Sequence, residues 1–167
     1  MHSMKKNKLL TILIFVFTQF FLTTNLSSEA LKIGNEKAKI TVKVFSSLTC
    51  PHCASFHQKI FEKLKKDYID KNLVKFEHHA FPLDLAALNA EKVVRCAANP
   101  ESKFKLLHNI YDQQKNWAVG SEINKINESL IEIGIQSQIP KDNLIKCLEN
   151  EITQEDILKE RIEAQKK

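Results

Sequence analysis

The sequence predicts an α/β chain in which one strand–helix–strand unit is followed by a long helical continuation. Three observations carry this. "AKITVKVFSS" alternates apolar and polar residues at the period of a strand, and "NLVKFEHHAFP" repeats that pattern some thirty residues later. Between them apolar residues recur at helical spacing, and beyond Pro82 every apolar run is helical in period. At 167 residues the chain suits a single domain with an ordinary core.

The N-terminus is the first segment to be assigned. Lys5, Lys6 and Lys8 precede a 14-residue apolar run, "LLTILIFVFTQFFL", which is short of the ~20 residues of a membrane-spanning helix. With the polar "TTNLSSEA" behind it, and Ser28 and Ala30 at the spacing of a cleavage site, residues 1–30 read as a secretory signal peptide. An uncleaved membrane anchor is the alternative, and Met4 is an alternative start. Removing this segment takes away Lys5, Lys6, Lys8 and Glu29, so the formal charge of +5 becomes +3. That balance is too mild to argue for nucleic acid and fits lysines scattered on amphipathic helices.

In the first strand Ile40, Val42 and Val44 alternate with Thr41 and Lys43. In the helix that follows, Phe56, Ile60, Leu64 and Tyr68 recur at four-residue steps, with Cys53 one turn earlier, which predicts one buried face running to about Asp70. The second strand places Val74, Phe76 and His78 on one face. Such a unit crosses over right-handed and pairs its strands in parallel. The helical part opens with a segment over Asp84 to Ala98, in which Leu85, Leu88 and Cys96 share a face and "NP" at Asn99–Pro100 is the stop. A second segment carries Phe104, Leu107 and Tyr111 towards Trp117; a third covers Glu122 to Ile133 and ends at Gly134. A fourth begins at Pro140 and carries Leu144, Cys147 and Leu148. The last, Thr153 to Lys166, opens on a Thr-x-x-Asp near-capping box. Three glycines in all leave little room for a phosphate-binding loop.

The chemistry is concentrated where the first strand meets the first helix, at "TCPHCASFH". With Cys50 at the helix N-cap, Pro51 falls at the first helical position, where its missing N–H costs nothing. The Cys50 sulfur then faces the unpaired N–H groups and positive end of the helix, and both favour thiolate over thiol. His52, when protonated, adds to this. Such Cys-x-x-Cys turns bring a thiol from about 8.5 to as low as ~3.5. A stabilised thiolate stabilises the reduced pair, so the disulfide becomes a ready oxidant. Cys50 is the sulfur expected to be attacked, and Cys53, one turn inside, the more buried resolving partner. Two other readings stay open. One is an inert disulfide; the other is a metal half-site in which Cys53-x-x-x-His57 chelates, with His78 and His79 as further candidate ligands. No second cysteine pair follows at zinc-ribbon spacing.

On "KIGNEKAKITVKVFSSLTCPHCASFH", "FPLDLAALNAEKVVRCA" and "NLIKCL", the sequence resembles the DsbA family of exported thiol–disulfide oxidoreductases from about Lys32 onwards. The resemblance implies a thioredoxin-like fold, with its N-terminal βαβ part in residues 31–82 and an inserted helical domain in residues 83–167. By that likeness Cys50 is the nucleophile, Cys53 its partner, and Pro51 and His52 the tuning residues. Cys96 and Cys147 match positions where some members carry a second, non-catalytic disulfide; two buried free thiols are the alternative. The family's cis-proline loop, β-hairpin and final helix have no counterpart before Lys167, which leads to the expectation of a C-terminally truncated member.

The function implied is a periplasmic protein thiol–disulfide oxidoreductase, a monomer with no separate cofactor and no metal. It would donate disulfides to reduced exported polypeptides and be reoxidised by a quinone-coupled membrane oxidase. The rival expectations are a reductase or isomerase using the same cysteines in the opposite direction, an inactive truncated family member, and an exported Cys/His metal-binding protein.

Overall fold

The computed structural model describes residues 30–166. The expected signal segment therefore lies, but for Ala30, outside the described residues. Among the described residues no helix is long and apolar enough to cross a membrane.

Among the described residues the sheet has three strands, β1 (Leu31–Gly34), β2 (Ile40–Ser46) and β3 (Val74–Ala80), in the order β1-β3-β2. β3 is central. It runs parallel to β2, with Val42 opposite Phe76, and antiparallel to β1, with Leu31 opposite His78. β1 is an addition to the two strands expected, and its four residues are too few to display an alternation. Its end is fixed by Gly34, whose φ of 102° belongs to the left-handed region and where a Cβ would lie 2.6 Å from the Val74 carbonyl oxygen. On β3, Val74, Phe76 and His78 are all buried, as the alternation predicts.

Helix α1 covers residues 51–69 and differs from the expected stripe. It begins as an α-helix at Pro51–Phe56, then widens into π-helical turns at His57–Phe61 and Lys65–Ile69, separated by Glu62–Leu64. Its buried residues are Ala54, His57, Phe61 and Ile69, whereas Ile60 is 54% and Tyr68 49% exposed. Phe56 and Leu64 keep partial burial. The i→i+5 hydrogen bonds put more residues into each turn and displace the inward stripe by about one position.

The helical part comprises α2 (Leu85–Arg95), α3 (Pro100–Asp112), α4 (Gln114–Trp117), α5 (Ile123–Gln136), α6 (Lys141–Glu149) and α7 (Glu151–Ala164). Four boundaries or faces differ from expectation, each for a local reason. α2 has no single apolar face: Ala87 to Val94 are all buried, because α3, α5, α6 and α7 pack around it, while Leu85 is exposed. Asn99–Pro100 is a start as well as a stop, since the Asn99 side chain accepts from Ser102 N at 2.9 Å and caps α3. Gly134 does not end α5, which runs on to Gln136; a Cβ there would meet the Leu144 side chain at 2.5 Å, so the glycine permits a close crossing of α5 and α6. α7 starts before Thr153, because Asn150 is its N-cap and accepts from Thr153 N at 2.9 Å. Pro140 occupies the N-cap of α6.

One continuous core joins the two parts. Phe61, Phe76 and Phe104 stack or cross at centroid distances of 4.9–5.9 Å, and the same cluster continues through Leu107, Ile110, Tyr111, Trp117 and Leu130.

Candidate active site

β2 ends at Ser46 and α1 begins at Pro51, so residues 47–50 must reverse the chain within four residues. Cys50 N donates to Ser47 O at 3.1 Å to close this turn. Cys50 is the N-cap of α1, with φ −79° and ψ 120°, and its carbonyl accepts the first helical bond from Ala54 N at 3.1 Å. Its sulfur closes no cap bond of full hydrogen-bond geometry but faces the backbone N–H groups of His52 and Cys53, and Pro51 opens the helix. Neither Cys50 nor Cys53 is in a disulfide, and both are partly buried. His52 is exposed.

The two sulfurs are driven apart in acidity. Burial works against ionisation of Cys50, but the backbone N–H of Cys53, the Cys53 thiol and the backbone N–H of His52 together outweigh it and hold the group below the ordinary thiol value. Burial pushes the Cys53 thiol up to about 11, with the Cys50 sulfur and its charge adding to the effect and a backbone bond at Ser47 opposing it. The arrangement therefore makes Cys50, at the helix tip, the more acidic thiol and Cys53, one turn inside, the less acidic one.

Several residues that sequence reasoning missed hold this turn. Gln114 Nε2 donates to Leu48 O at 2.7 Å and to Cys50 O at 3.0 Å. The Tyr111 hydroxyl donates to Ser47 O at 3.4 Å, and Thr49 Oγ1 donates to Asp84 Oδ2 at 2.8 Å while Asp84 also caps α2. Asp84 is legible as a residue before a helical run; Gln114, sixty-four residues from Cys50, carries no local signal. A cavity of about 600 Å³ opens beside Cys50, between Pro51, Leu83, Leu85, Ala118 and Ile123.

The candidate metal ligands are dispersed. His57 is buried, stacked on Tyr111 at 4.3 Å, and neither ring nitrogen has a hydrogen-bond partner. Burial, followed by the neighbouring His78 and His108, lowers it to about 3. The His78 ring lies between Glu91, 2.8 Å from Nε2, and the Ser46 hydroxyl, 3.1 Å from Nδ1. His79 lies between Glu77 and Glu160. Among the described residues no three or more His, Cys, Asp or Glu side chains gather as a metal site. Away from the turn, Cys96 and Cys147 are joined in a disulfide with a Cα–Cα distance of 5.8 Å, linking the end of α2 to α6.

Comparison with known proteins agrees with this geometry. The Thioredoxin family matches residues 27–167. A putative protein-disulfide oxidoreductase of Rickettsia conorii is 37% identical over 130 residues, which are 77% of this chain and 46% of that protein. Disulfide bond formation protein D of Bacillus subtilis is 32% identical over 123 residues, covering 68% of this chain and 54% of that protein. The chain spans about half the length of the curated relatives it matches. The crystal structure of alpha-DsbA1 from Wolbachia pipientis superposes with a TM-score of 0.74 at 25% identity, over 87% of this chain and 71% of that one.

Proposed function

The chain belongs to the thioredoxin family, among its DsbA-like members, and from that premise we propose that it is a protein thiol–disulfide oxidoreductase working as an oxidant through Cys50 and Cys53. The observation that carries this reading is the opposed acidity of the two sulfurs at the start of α1.

A substrate thiolate attacks the Cys50 sulfur of the oxidised pair; the Cys50–Cys53 bond breaks, and Cys53 leaves with the electron pair and takes up a proton. A second substrate thiolate then attacks the substrate sulfur of the mixed disulfide. Cys50 departs as a thiolate, the substrate keeps the new disulfide, and the enzyme holds the two electrons. Departure is favoured because the N–H groups of His52 and Cys53 already face Cys50. Pro51 and the backbone of His52 tune the turn. The substrates are reduced exported polypeptides, the compartment is the periplasm, and reoxidation falls to a quinone-coupled membrane oxidase. The lysine-flanked apolar N-terminus supports export. Residues 31–82 would form the N-terminal part of the thioredoxin-like fold and residues 83–167 the helical insertion.

The test is the equilibrium of the pair with glutathione, together with titration of the thiolate by its ultraviolet absorbance. A potential near ~−120 mV and an acidic Cys50 are expected; a potential near ~−270 mV would assign the pair to reduction instead.

A further inference from the structure

We infer that Gln114 is a positioning residue for disulfide exchange, clamping the carbonyls of Leu48 and Cys50 so that the Cys50 sulfur is held against the backbone N–H groups of His52 and Cys53. The inference rests on the oxidoreductase reading and assigns part of that chemistry to the helical half of the molecule.

The geometry is specific. A glutamine amide nitrogen carries two hydrogens, and here both are used, at 2.7 Å to Leu48 O and 3.0 Å to Cys50 O. These carbonyls belong to the Leu48–Thr49 and Cys50–Pro51 peptide units, so one planar group ties down the chain on both sides of the Thr49–Cys50 step. The tie has a particular purpose at this point in the chain. Pro51 has no N–H, so the residue after Cys50 contributes no backbone donor to steady the turn. Cys50 O accepts from Ala54 N and from Gln114 together, which fixes the N-cap peptide plane from inside the helix and from outside it. The direction of the Cys50 side chain follows from that plane.

Gln114 is itself firmly seated. It is 7% exposed, and the short α4 that carries it is pinned by the Trp117 ring nitrogen donating to Ile110 O at 2.8 Å and by Ala118 N donating to Gln114 O at 2.9 Å. A buried polar side chain with several rotatable bonds loses conformational entropy and hydration, costs that only well-made hydrogen bonds offset. An apolar residue would fill the space without those costs, so pure packing does not account for a glutamine here. Thr49 to Asp84 is a second tie between the turn and the helical part, but it lies at the exposed rim and leaves the Cys50 carbonyl free.

The experiment uses the full chain with Gln114→Met, which keeps length and removes both donors, and Gln114→Glu, which keeps shape and replaces the donor by a carboxylate. Gln113→Leu is the control, because Gln113 pairs with Gln136 on the other side of the same segment. For each, the Cys50 thiolate is titrated by absorbance near 240 nm and the glutathione equilibrium constant is measured alongside thermal unfolding. Gln114→Met is expected to raise the Cys50 titration midpoint and make the disulfide about tenfold less oxidising, equivalent to about 30 mV. Gln114→Glu is expected to shift it further at neutral pH and to recover in part as its carboxyl protonates and regains a donor. Gln113→Leu is expected to change neither readout. A residue that only packs would lower the melting temperature and leave the titration where it was; that result in either folded Gln114 variant overturns the inference. Gln114→Glu carries the test where Gln114→Met does not fold. An ordinary acidity for Cys50 in the unsubstituted chain would sink the oxidoreductase reading and this inference with it, whereas an acidic Cys50 that neither variant shifts would sink the inference alone.

Discussion

Cys50 and Cys53 stand three residues apart at the N-terminal tip of α1, while Cys96 and Cys147 are 51 residues apart, the first closing α2 and the second in the last turn of α6. The helix ends differ in sign. At an N-terminus unpaired N–H groups stabilise a thiolate; at a C-terminus unpaired carbonyls disfavour one. Cys96 stands at the second kind of end, as the C-cap of α2, with its sulfur joined to Cys147. Under the proposed function, the end of the helix that each occupies favours exchange at Cys50 and opposes it at Cys96. Loop length separates the pairs again: closing fifty residues restrains the unfolded chain strongly, whereas closing two does little.

The strongest way to break this comparison is to remove one member or pair at a time. Cys50→Ala is expected to reduce disulfide exchange with a reduced peptide to background, and Cys53→Ala, first loaded at Cys50 as the mixed disulfide with glutathione, to exchange glutathione for the peptide and hold the peptide mixed disulfide, both visible by mass spectrometry. The double variant Cys96→Ala/Cys147→Ala is expected to keep exchange within a few-fold and to lose about 2–4 kcal/mol of stability in urea unfolding. A folded double variant that has lost exchange would show that the second disulfide takes part in the chemistry, and the division between the pairs would fail.

How much of this was readable beforehand follows the range of the interactions. The placement of Cys50 at an N-cap, Pro51 at the first helical position and β2 before them depends on neighbours within a turn or two, and the sequence carries it. The buried stripe of α1 lies about one residue from where its periodicity points, because nothing in "HQKIF" or "KKDYI" announces a widened turn. The periodicity of α2 shows one apolar face, because burial on all sides depends on four other helices. Gly134 read as a stop signal, yet it serves a crossing with a residue ten positions away, Leu144. Gln114 could not be found at all: its partners, Leu48 and Cys50, meet it only once the helical part has folded over the turn.

Within the helical region, Gly134→Ala sharpens the comparison by loosening α6 without touching a sulfur. The added Cβ would lie 2.5 Å from Leu144, a fully buried side chain, so α5 and α6 must separate or Leu144 must leave its rotamer. A loss of about 1–3 kcal/mol is expected from chemical denaturation. The Cys50 titration should not move. If it does, strain at the α5–α6 crossing reaches the redox turn, and the two regions are less independent than their contacts imply.

The smallest effect is expected from His57, one turn beyond Cys53 and within the same buried stripe. In the folded chain its midpoint is held at about 3, against an ordinary value of 6.5, first by burial and then by His78 and His108. Between those values the unfolded chain binds a proton that the folded chain refuses, so stability falls as pH drops through the window from about 6.5 towards 3. One proton gives at most about 1.4 kcal/mol per pH unit, and the single unit from pH 6 to 5 should show about 1 kcal/mol. Glu77, lowered to about 2, acts only below the ordinary carboxylate range, because burial raises it and Lys75, His79 and Lys43 more than compensate. His57→Phe should therefore flatten the stability curve between pH 6 and 5 and leave the steeper acid loss intact. Replacing a ring whose two nitrogens lack partners by one that needs none should also hold or raise the stability at neutral pH. The pH profile of exchange should be unchanged, since the thiolate at the helix tip is set by the N–H groups of His52 and Cys53. A shifted exchange profile in His57→Phe would place this histidine in the proton traffic of Cys53, and the division between a reactive tip and an inert core would have to move one turn deeper into α1.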